Sequence, residues 1–422
     1  MRREKQASIA QPSSGGMVML PHSHSVEQTG LCQILPTYLH KEWAYIMSDF
    51  YSSLFDLETE IRPMRANEEI LIYGAGGTGR RVLLALSKQG HKPLAFIDQH
   101  AKTRSVEGVP VLTLADTALP RNATVIVAVF NRETNARFSD IKRRLDDAGF
   151  LSILSFEAFY LSCPDDFEET FFWLAKPDYL KARAEEVRAA DELWSDARSR
   201  NIYRSQIRHR ITGDHAGVPE PEPEAQYMPR DVPLLPEPYR FVDVGAFDGD
   251  TLDALHNQKV RLESILAFEP DMRNFQSLVK RVRAHGPYAP QMLLFPCGVG
   301  RSCDSAVFLE DGTESSKALK DASPTKGNRT MVPVIALDEI LFGFRPNYIK
   351  FDVEGFEEEA LCGMRKTIEE DRPMLAVSVY HRPEDLFYLP LLLSSWSCPA
   401  DYYLRMHGEH TFDTVLYVIP QR

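Results

Sequence analysis

The chain has 422 residues, of which 44% are hydrophobic and 26% charged, with a net charge of -12 and a pI near 5.5. This length exceeds one ordinary domain, and this balance is that of a globular protein. The acidic excess excludes sequence-independent nucleic-acid binding and docking on anionic membrane, both of which need a basic surface. Arg2, Arg3 and Lys5 are followed by Gln, Pro, Ser and Gly, which is not a secretory leader. Nor does any apolar run reach the ~18 residues of a membrane span. The cysteines (32, 163, 297, 303, 362 and 398) are scattered, with no C-x-x-C pair. That pattern points to reduced thiols in a cytoplasmic protein and away from a zinc site.

In chain order, residues 1–30 are rich in Ser, Gly, Gln and His and read as a disordered tail. Trp43, Tyr45, Phe50, Tyr51, Leu54 and Phe55 predict one or two helices over 31–61. From there to residue 160 the pattern alternates strand and helix. Ile70–Tyr73 reads as a strand, and Gly74, Gly76 and Gly79 follow in a G-x-G-x-x-G loop that opens a helix at Arg80–Ser87. A second strand, Pro93–Ile97, ends at Asp98, about 20 residues past the loop. That is where a dinucleotide-binding βαβ unit places an acid on a ribose hydroxyl. Strands at Val109–Leu112, Thr124–Ala128 and Phe150–Leu154 and a helix at Phe138–Ala148 complete the unit. It resembles small Rossmann-like domains that hold a dinucleotide or a nucleotide sugar. The same glycines serve equally in a domain that keeps them for packing alone.

Residues 161–232 read as a helical connector. Phe171, Phe172, Leu174, Leu180, Val187, Leu193 and Trp194 lie at intervals compatible with one amphipathic face. A Pro/Glu linker, Gly217–Glu224, and the segment Gln226–Pro229 follow. Tyr227 there either lids a site or packs the linker down.

The densest signal lies in 233–422. Phe241–Val244 reads as a short buried strand, and Gly245 and Gly249 turn it into a helix starting at Thr251. The spacing is G-x-x-x-G without a phosphate-binding Lys, and Asp243, Asp248 and Asp250 would repel a polyphosphate. A ligand carrying positive charge suits them. The strand Ser264–Phe268 ends in Glu269-Pro270, about 20 residues beyond the loop, again at the ribose position. Gln291–Pro296 is a third strand, ending at Cys297-Gly298. Ala306–Leu309 and Val332–Ile335 read as an inserted hairpin, with Gly312–Ser316 between them. Tyr348–Phe351 delivers Asp352 and Glu354 to the same sheet edge, and Met374–Val379 delivers Tyr380-His381. Pro383 is placed in the first turn of the next helix. Tyr402–Arg405 and Thr414–Ile419 close the sheet, the last strand antiparallel.

The stretches Phe241–Thr251, Phe268–Pro270, Ile349–Gly355 and Val379–Leu386, in this order, resemble the FkbM family of S-adenosylmethionine-dependent methyltransferases. The resemblance covers roughly Pro233 to Pro420. It implies a class I, Rossmann-like methyltransferase fold and O-methylation of a saccharide or glycosylated metabolite. It implies a cofactor site of Asp243, Gly245, Ala246, Phe247, Asp248, Gly249, Thr251, Glu269, Pro270, Cys297, Gly298 and Asp352. Ser315 and Ser316 resemble a serine-rich segment of the family, or form an ordinary polar turn.

The expected architecture is therefore two doubly wound α/β domains, 31–160 and 233–422, joined by a helical segment and the Pro/Glu linker. Methyl transfer to a hydroxyl needs a base, because the protonated oxygen is a poor nucleophile. Asp352 and His381 are the first candidates and Glu354 the third. Glu354 also suits a helix cap, and His381 a plain strand-end hydrogen bond. A divalent cation held by Asp352 and Glu354 would acidify the hydroxyl in another way. The rival reading is a nucleotide-sugar or dinucleotide-binding protein with a non-catalytic methyltransferase-like half. A nicotinamide-dependent enzyme run by Gly74, Gly76, Gly79 and Asp98 is a further one.

Overall fold

The computed structural model describes residues 50–55, 64–130, 136–167, 171–310, 317–319 and 328–421. Residues 50–55 are helical, as expected. The rest of 1–61, the tail included, and the turn Gly312–Ser316 with Ser315 and Ser316 lie outside the described residues. Lys41–Arg422 form one compact unit.

The first sheet is built from β1 (Ile70–Tyr73), α1 (Gly77–Lys88), β2 (Ala95–Ile97), β3 (Ser105–Val106), β4 (Val109–Leu112), β5 (Thr124–Val127), α2 (Phe138–Asp147) and β6 (Ser152–Ser155). Its order is β3-β4-β2-β1-β5-β6, parallel except for the short β3. The chain leaves β1 toward β2 and β4 on one side and returns to β5 and β6 on the other. The glycine loop after β1 thus sits where the strand order reverses, the usual ligand crevice of an open α/β sheet.

The connector differs from a single amphipathic stripe. Ser155 caps α3 (Phe156–Ser162) by accepting from the Ala158 N–H at 3.1 Å. Phe171 and Leu174 then pair as an isolated bridge. Helices α4 (Pro177–Lys181), α5 (Ala184–Asp191) and α6 (Ala197–Thr212) follow. Pro177 starts α4, where a missing N–H costs nothing. Gly213, at φ +68°, ends α6.

The second sheet holds β7 (Tyr239–Val244), α7 (Asp250–Asn257), β8 (Leu262–Phe268), α8 (Met272–His285) and β9 (Gln291–Phe295). An insert follows: β10 (Gly298–Val299), β11 (Asp304–Glu310), β12 (Lys317–Leu319) and β13 (Asn328–Ile335). The expected hairpin is its antiparallel β11–β13 pair. The chain then returns through β14 (Tyr348–Phe351), α9 (Glu357–Cys362), α10 (Arg365–Asp371), β15 (Met374–Ser378), α11 (Asp385–Ser394), β16 (Ala400–Met406) and β17 (Thr414–Pro420). The main order is β16-β17-β15-β14-β7-β8-β9, with β17 antiparallel to both its neighbours. β7, β14 and β15 are almost wholly buried, which is why they read as largely apolar runs. The order reverses between β14 and β7, so the Gly245–Gly249 loop lies at this sheet's crevice. Pro383 is a correction: it precedes α11, and the proline inside that helix is Pro390.

Candidate active site

Strand β7 ends in Gly245, at φ +89°. A Cβ there would lie 1.9 Å from the Asp352 carbonyl oxygen, so only glycine lets the two loops pass. At Gly249 a Cβ would come within 2.9 Å of Leu278 and 3.0 Å of Arg281. Both glycines thus approach the protein's own chain. Between them the Gly245 and Ala246 N–H groups donate to the Phe268 carbonyl, each at 3.0 Å. Phe247, exposed at 36%, takes φ +48°. A non-glycine residue in that region is strained and held there by its surroundings.

The surrounding element is Glu269. Its Oε2 accepts the Phe247 N–H at 2.9 Å and its Oε1 the Asp271 N–H at 2.8 Å. Burial is the main influence on this carboxyl and pushes its pKa up to about 7, while the two N–H donors oppose it. The first sheet repeats the arrangement: Asp98 Oδ2 accepts the Ala75 N–H at 3.0 Å. There Gly74, at φ +101°, and Gly79, whose Cβ would lie 2.0 Å from the Gly74 oxygen, are fixed by packing. Gly76 faces open space and opens α1 without a side-chain cap.

The acids of the Gly245–Gly249 loop separate. Asp248 pairs with Arg281, which also takes Asp253. Asp250 Oδ1 accepts the Thr251 N–H at 2.8 Å beside the buried Thr251. Asp243 alone is buried beneath the loop, its Oδ1 2.9 Å from Lys350 Nζ. Lys350 also donates to the Gly245 carbonyl at 2.6 Å. Burial works against the Lys350 ammonium, but Asp243 and Asp352 outweigh it and push its pKa up. Asp243 Oδ2 is buried without a hydrogen bond among the described residues. Cys297 follows β9 and Gly298 opens β10, with Pro270 Cβ 3.9 Å from a Cβ placed on Gly298. Burial raises the Cys297 thiol to about 11, which keeps it neutral.

Strands β14 and β15 bring Asp352, Glu354 and His381 together, as their strand-end positions predicted. His381 Nε2 stands 3.4 Å from Asp352 Oδ1 and 3.6 Å from Glu354 Oε2. Its Nδ1 bonds Glu357 Oε1 at 2.8 Å. Burial opposes charge on this ring, yet Glu357, Glu354 and Asp352 overcome it and raise the pKa to about 10. At neutral pH His381 is an imidazolium. Asp352 Oδ2 accepts from the Tyr227 hydroxyl at 3.0 Å, and Oδ1 from that of Tyr380 at 3.4 Å. Tyr227 is 4% exposed, at φ +66°, and its N–H donates to the Tyr417 hydroxyl at 3.0 Å. It therefore packs the linker down and touches the site at once. Glu354 does not cap α9; Phe356 is the N-cap, and Glu357 Oε1 accepts the Val353 N–H at 2.9 Å.

Sequence reading missed Lys350, Glu357 and Tyr380. A lysine inside an otherwise apolar strand was the available signal for Lys350, since lysine is buried only when paired. Glu357 and Tyr380 carried none. At this sheet edge the side chains grouped closely enough to hold a cation, among the described residues, are Asp352, Glu357 and His381, and not the Asp352–Glu354 pair expected from sequence.

Residues 243–406 match the family model of the methyltransferase FkbM domain, and residues 69–140 that of the PglD N-terminal domain. The C-terminal half carries an FkbM methyltransferase domain. No curated protein matches the chain. The crystal structure of methyltransferase FkbM from Methylobacillus flagellatus shares the fold, with a TM-score of 0.68 and 19% identity over 89% of this chain and 99% of that one. That span exceeds the FkbM domain, so the likeness of fold runs into the first sheet. A candidate tRNA methyltransferase of Streptococcus pneumoniae is more distant, with a TM-score of 0.27 and 13% identity over 44% of this chain and 65% of that one. The FkbM domain supports a methyltransferase, a class that in general uses S-adenosylmethionine. No helix among the described residues is long and apolar enough to cross a membrane.

Proposed function

We propose that the chain is an S-adenosylmethionine-dependent O-methyltransferase acting on a hydroxyl of a saccharide or glycosylated metabolite. The observation that carries this is the buried Glu269 carboxylate, fastened to the Gly245–Gly249 loop at the strand-order reversal of an FkbM domain. Its remaining lone pairs suit the ribose hydroxyls. The orphaned Asp243 Oδ2 beneath the loop suits a cationic ligand group. When bound, the cofactor supplies an electrophilic methyl group on a sulfonium.

The residues divide the remaining work. Asp352 is the base that would take the proton of the acceptor hydroxyl. His381, already protonated, cannot be that base. Its Nε2–H is aimed between Asp352 and Glu354, where it holds the acceptor oxygen and stabilises the negative charge that develops there. Glu357 and Tyr380 position these two groups. The saccharide class rests on the resemblance and on the PglD N-terminal match. Of the motif glycines Gly74, Gly76 and Gly79, Gly76, open and uncapped, is the one that packing does not explain, and it suits a nucleotide sugar.

The test is calorimetric titration of the full chain with S-adenosylmethionine, repeated with Glu269→Ala, then an acceptor screen with sugars and nucleotide sugars. Saturable binding lost in the variant is expected. Equal binding by both proteins, or by neither with acceptor present, would overturn the reading.

A further inference from the structure

A second cluster lies away from the cofactor crevice. Glu157, on α3, is fully buried at the centre of three histidines that sequence reading left unremarked. His410 Nδ1 is 3.0 Å from Glu157 Oε1, His215 Nε2 is 3.4 Å from Oε2, and His209 Nε2 is 3.7 Å from Oε1. The donor atoms of Glu157, His215 and His410 all lie within 4.8 Å of one another. Two segments distant from it in sequence, residues 209–215 and His410, are brought to one carboxylate. Gly213 makes this possible: a Cβ there would fall 2.6 Å from Ala158 Cα, so α6 ends directly against α3.

Hydrogen bonding shows which way the rings face. His209 Nδ1 donates to the Asp214 carbonyl at 3.0 Å, and His410 Nε2 to the Ala136 carbonyl at 3.3 Å. His209 so held turns its bare Nε2 toward Glu157, whereas His410 Nδ1 hydrogen-bonds Glu157 Oε1 at 3.0 Å with a proton that an incoming cation would displace. A backbone carbonyl fixing the far nitrogen is the usual support of a metal-bound histidine. Among the described residues, His209 Nε2, His215 Nε2 and Glu157 Oε2 are buried without a hydrogen bond. The His209 and His215 rings pack closely, with centroids 4.4 Å apart. A single cation held by Glu157, His215 and His410 would satisfy the unpartnered Glu157 Oε2 and His215 Nε2 together. Phe138 stacks on His215 at 4.6 Å and Trp173 lies 5.3 Å from His209, so the cluster has an apolar wall.

We propose that Glu157, His215 and His410, with His209 beside them, bind one divalent transition-metal ion, for which zinc best matches the mixed nitrogen and carboxylate donors. The ion joins the first sheet's α3 to the turn between β16 and β17, and so clamps the two halves of the molecule. The site is separate from the Asp352–Glu357–His381 group and does not depend on the methyltransferase reading.

Full-length protein, without a polyhistidine tag, is stripped with chelator and titrated with zinc chloride by calorimetry and with cobalt(II) by visible absorption. One tight equivalent is expected, with cobalt d–d bands and a raised thermal midpoint. His215→Ala and His410→Ala should each weaken zinc binding by more than about 100-fold, since even supporting residues cost about 10–100-fold. His215 is the more exposed ligand, so its variant is the one expected to stay folded by circular dichroism. His381→Gln should bind zinc as the parent does. Absence of the tight equivalent, its persistence in both cluster variants, or its loss in His381→Gln would overturn the proposal.

Discussion

Glu269 and His381 carry opposite charges for environmental reasons, and each sets a limb of the expected pH profile. Burial raises Glu269 to about 7. Ribose hydroxyls favour its ionised form, so cofactor affinity should plateau above pH 7 and fall by about tenfold per unit well below it. Calorimetry from pH 5.5 to 8.5 checks this; a flat profile would remove Glu269 from the ribose. His381, raised to about 10, contributes stability that is complete below its ordinary pKa and is lost as pH rises through 10. Turnover should therefore persist to about pH 9 and fail beyond it, and His381→Gln should remove that alkaline limb. Asp352→Asn should lower kcat by about 10²–10⁴ while cofactor Kd moves less than about tenfold. An equal loss in Kd would assign Asp352 to cofactor binding instead.

Among the elements, sequence pattern and structure agree best where one rule governs. β7, β14 and β15 are almost wholly buried and largely apolar, broken chiefly by Asp243 and Lys350, which pair with each other. Asp271 caps α8 by accepting from the Arg273 and Asn274 N–H groups. The strand-end acids Asp98, Glu269 and Asp352 were legible because fold and spacing place them. What sequence hid depends on contacts between distant segments. Glu357 lies 24 residues from the His381 it charges, and Glu157 meets His410 across 253 positions. The connector misled because its aromatic residues face several partners, so no single helical stripe exists. Gly213 concentrates that dependence in one position, with a left-handed φ and no room for a methyl group. Gly213→Ala should cost about 2–4 kcal/mol, combining backbone strain with overpacking. Urea unfolding measures it; a change under about 1 kcal/mol would show that α6 and α3 shift apart without penalty.

At the scale of the molecule, one turn carries a chain of contacts from the second sheet into the first half. Residues 409–413 reach from β16–β17 into the first half: Arg137 Nε bonds Glu409 Oε1 at 2.8 Å, and Phe412 lies 5.0 Å from Phe130 and 5.0 Å from Phe172. Phe412 is 1% exposed, and its other side meets Tyr380 at 5.9 Å. Tyr380 in turn stands 4.1 Å from the His381 ring and donates to Asp352. The first half thus props a wall of the proposed catalytic group, which gives the N-terminal sheet a role whether or not its glycine loop holds a ligand. Phe412→Ala opens a cavity between the halves. It should cost roughly 3–5 kcal/mol, as large aromatic deletions in cores do. It should also lower kcat more than it weakens cofactor binding, because Glu269 and the Gly245–Gly249 loop lie on other strands. Calorimetric unfolding of the parent should show one transition, and the variant should separate it into two. If the parent already unfolds in two steps and the variant keeps full turnover, the halves are independent and the turn is only a tether.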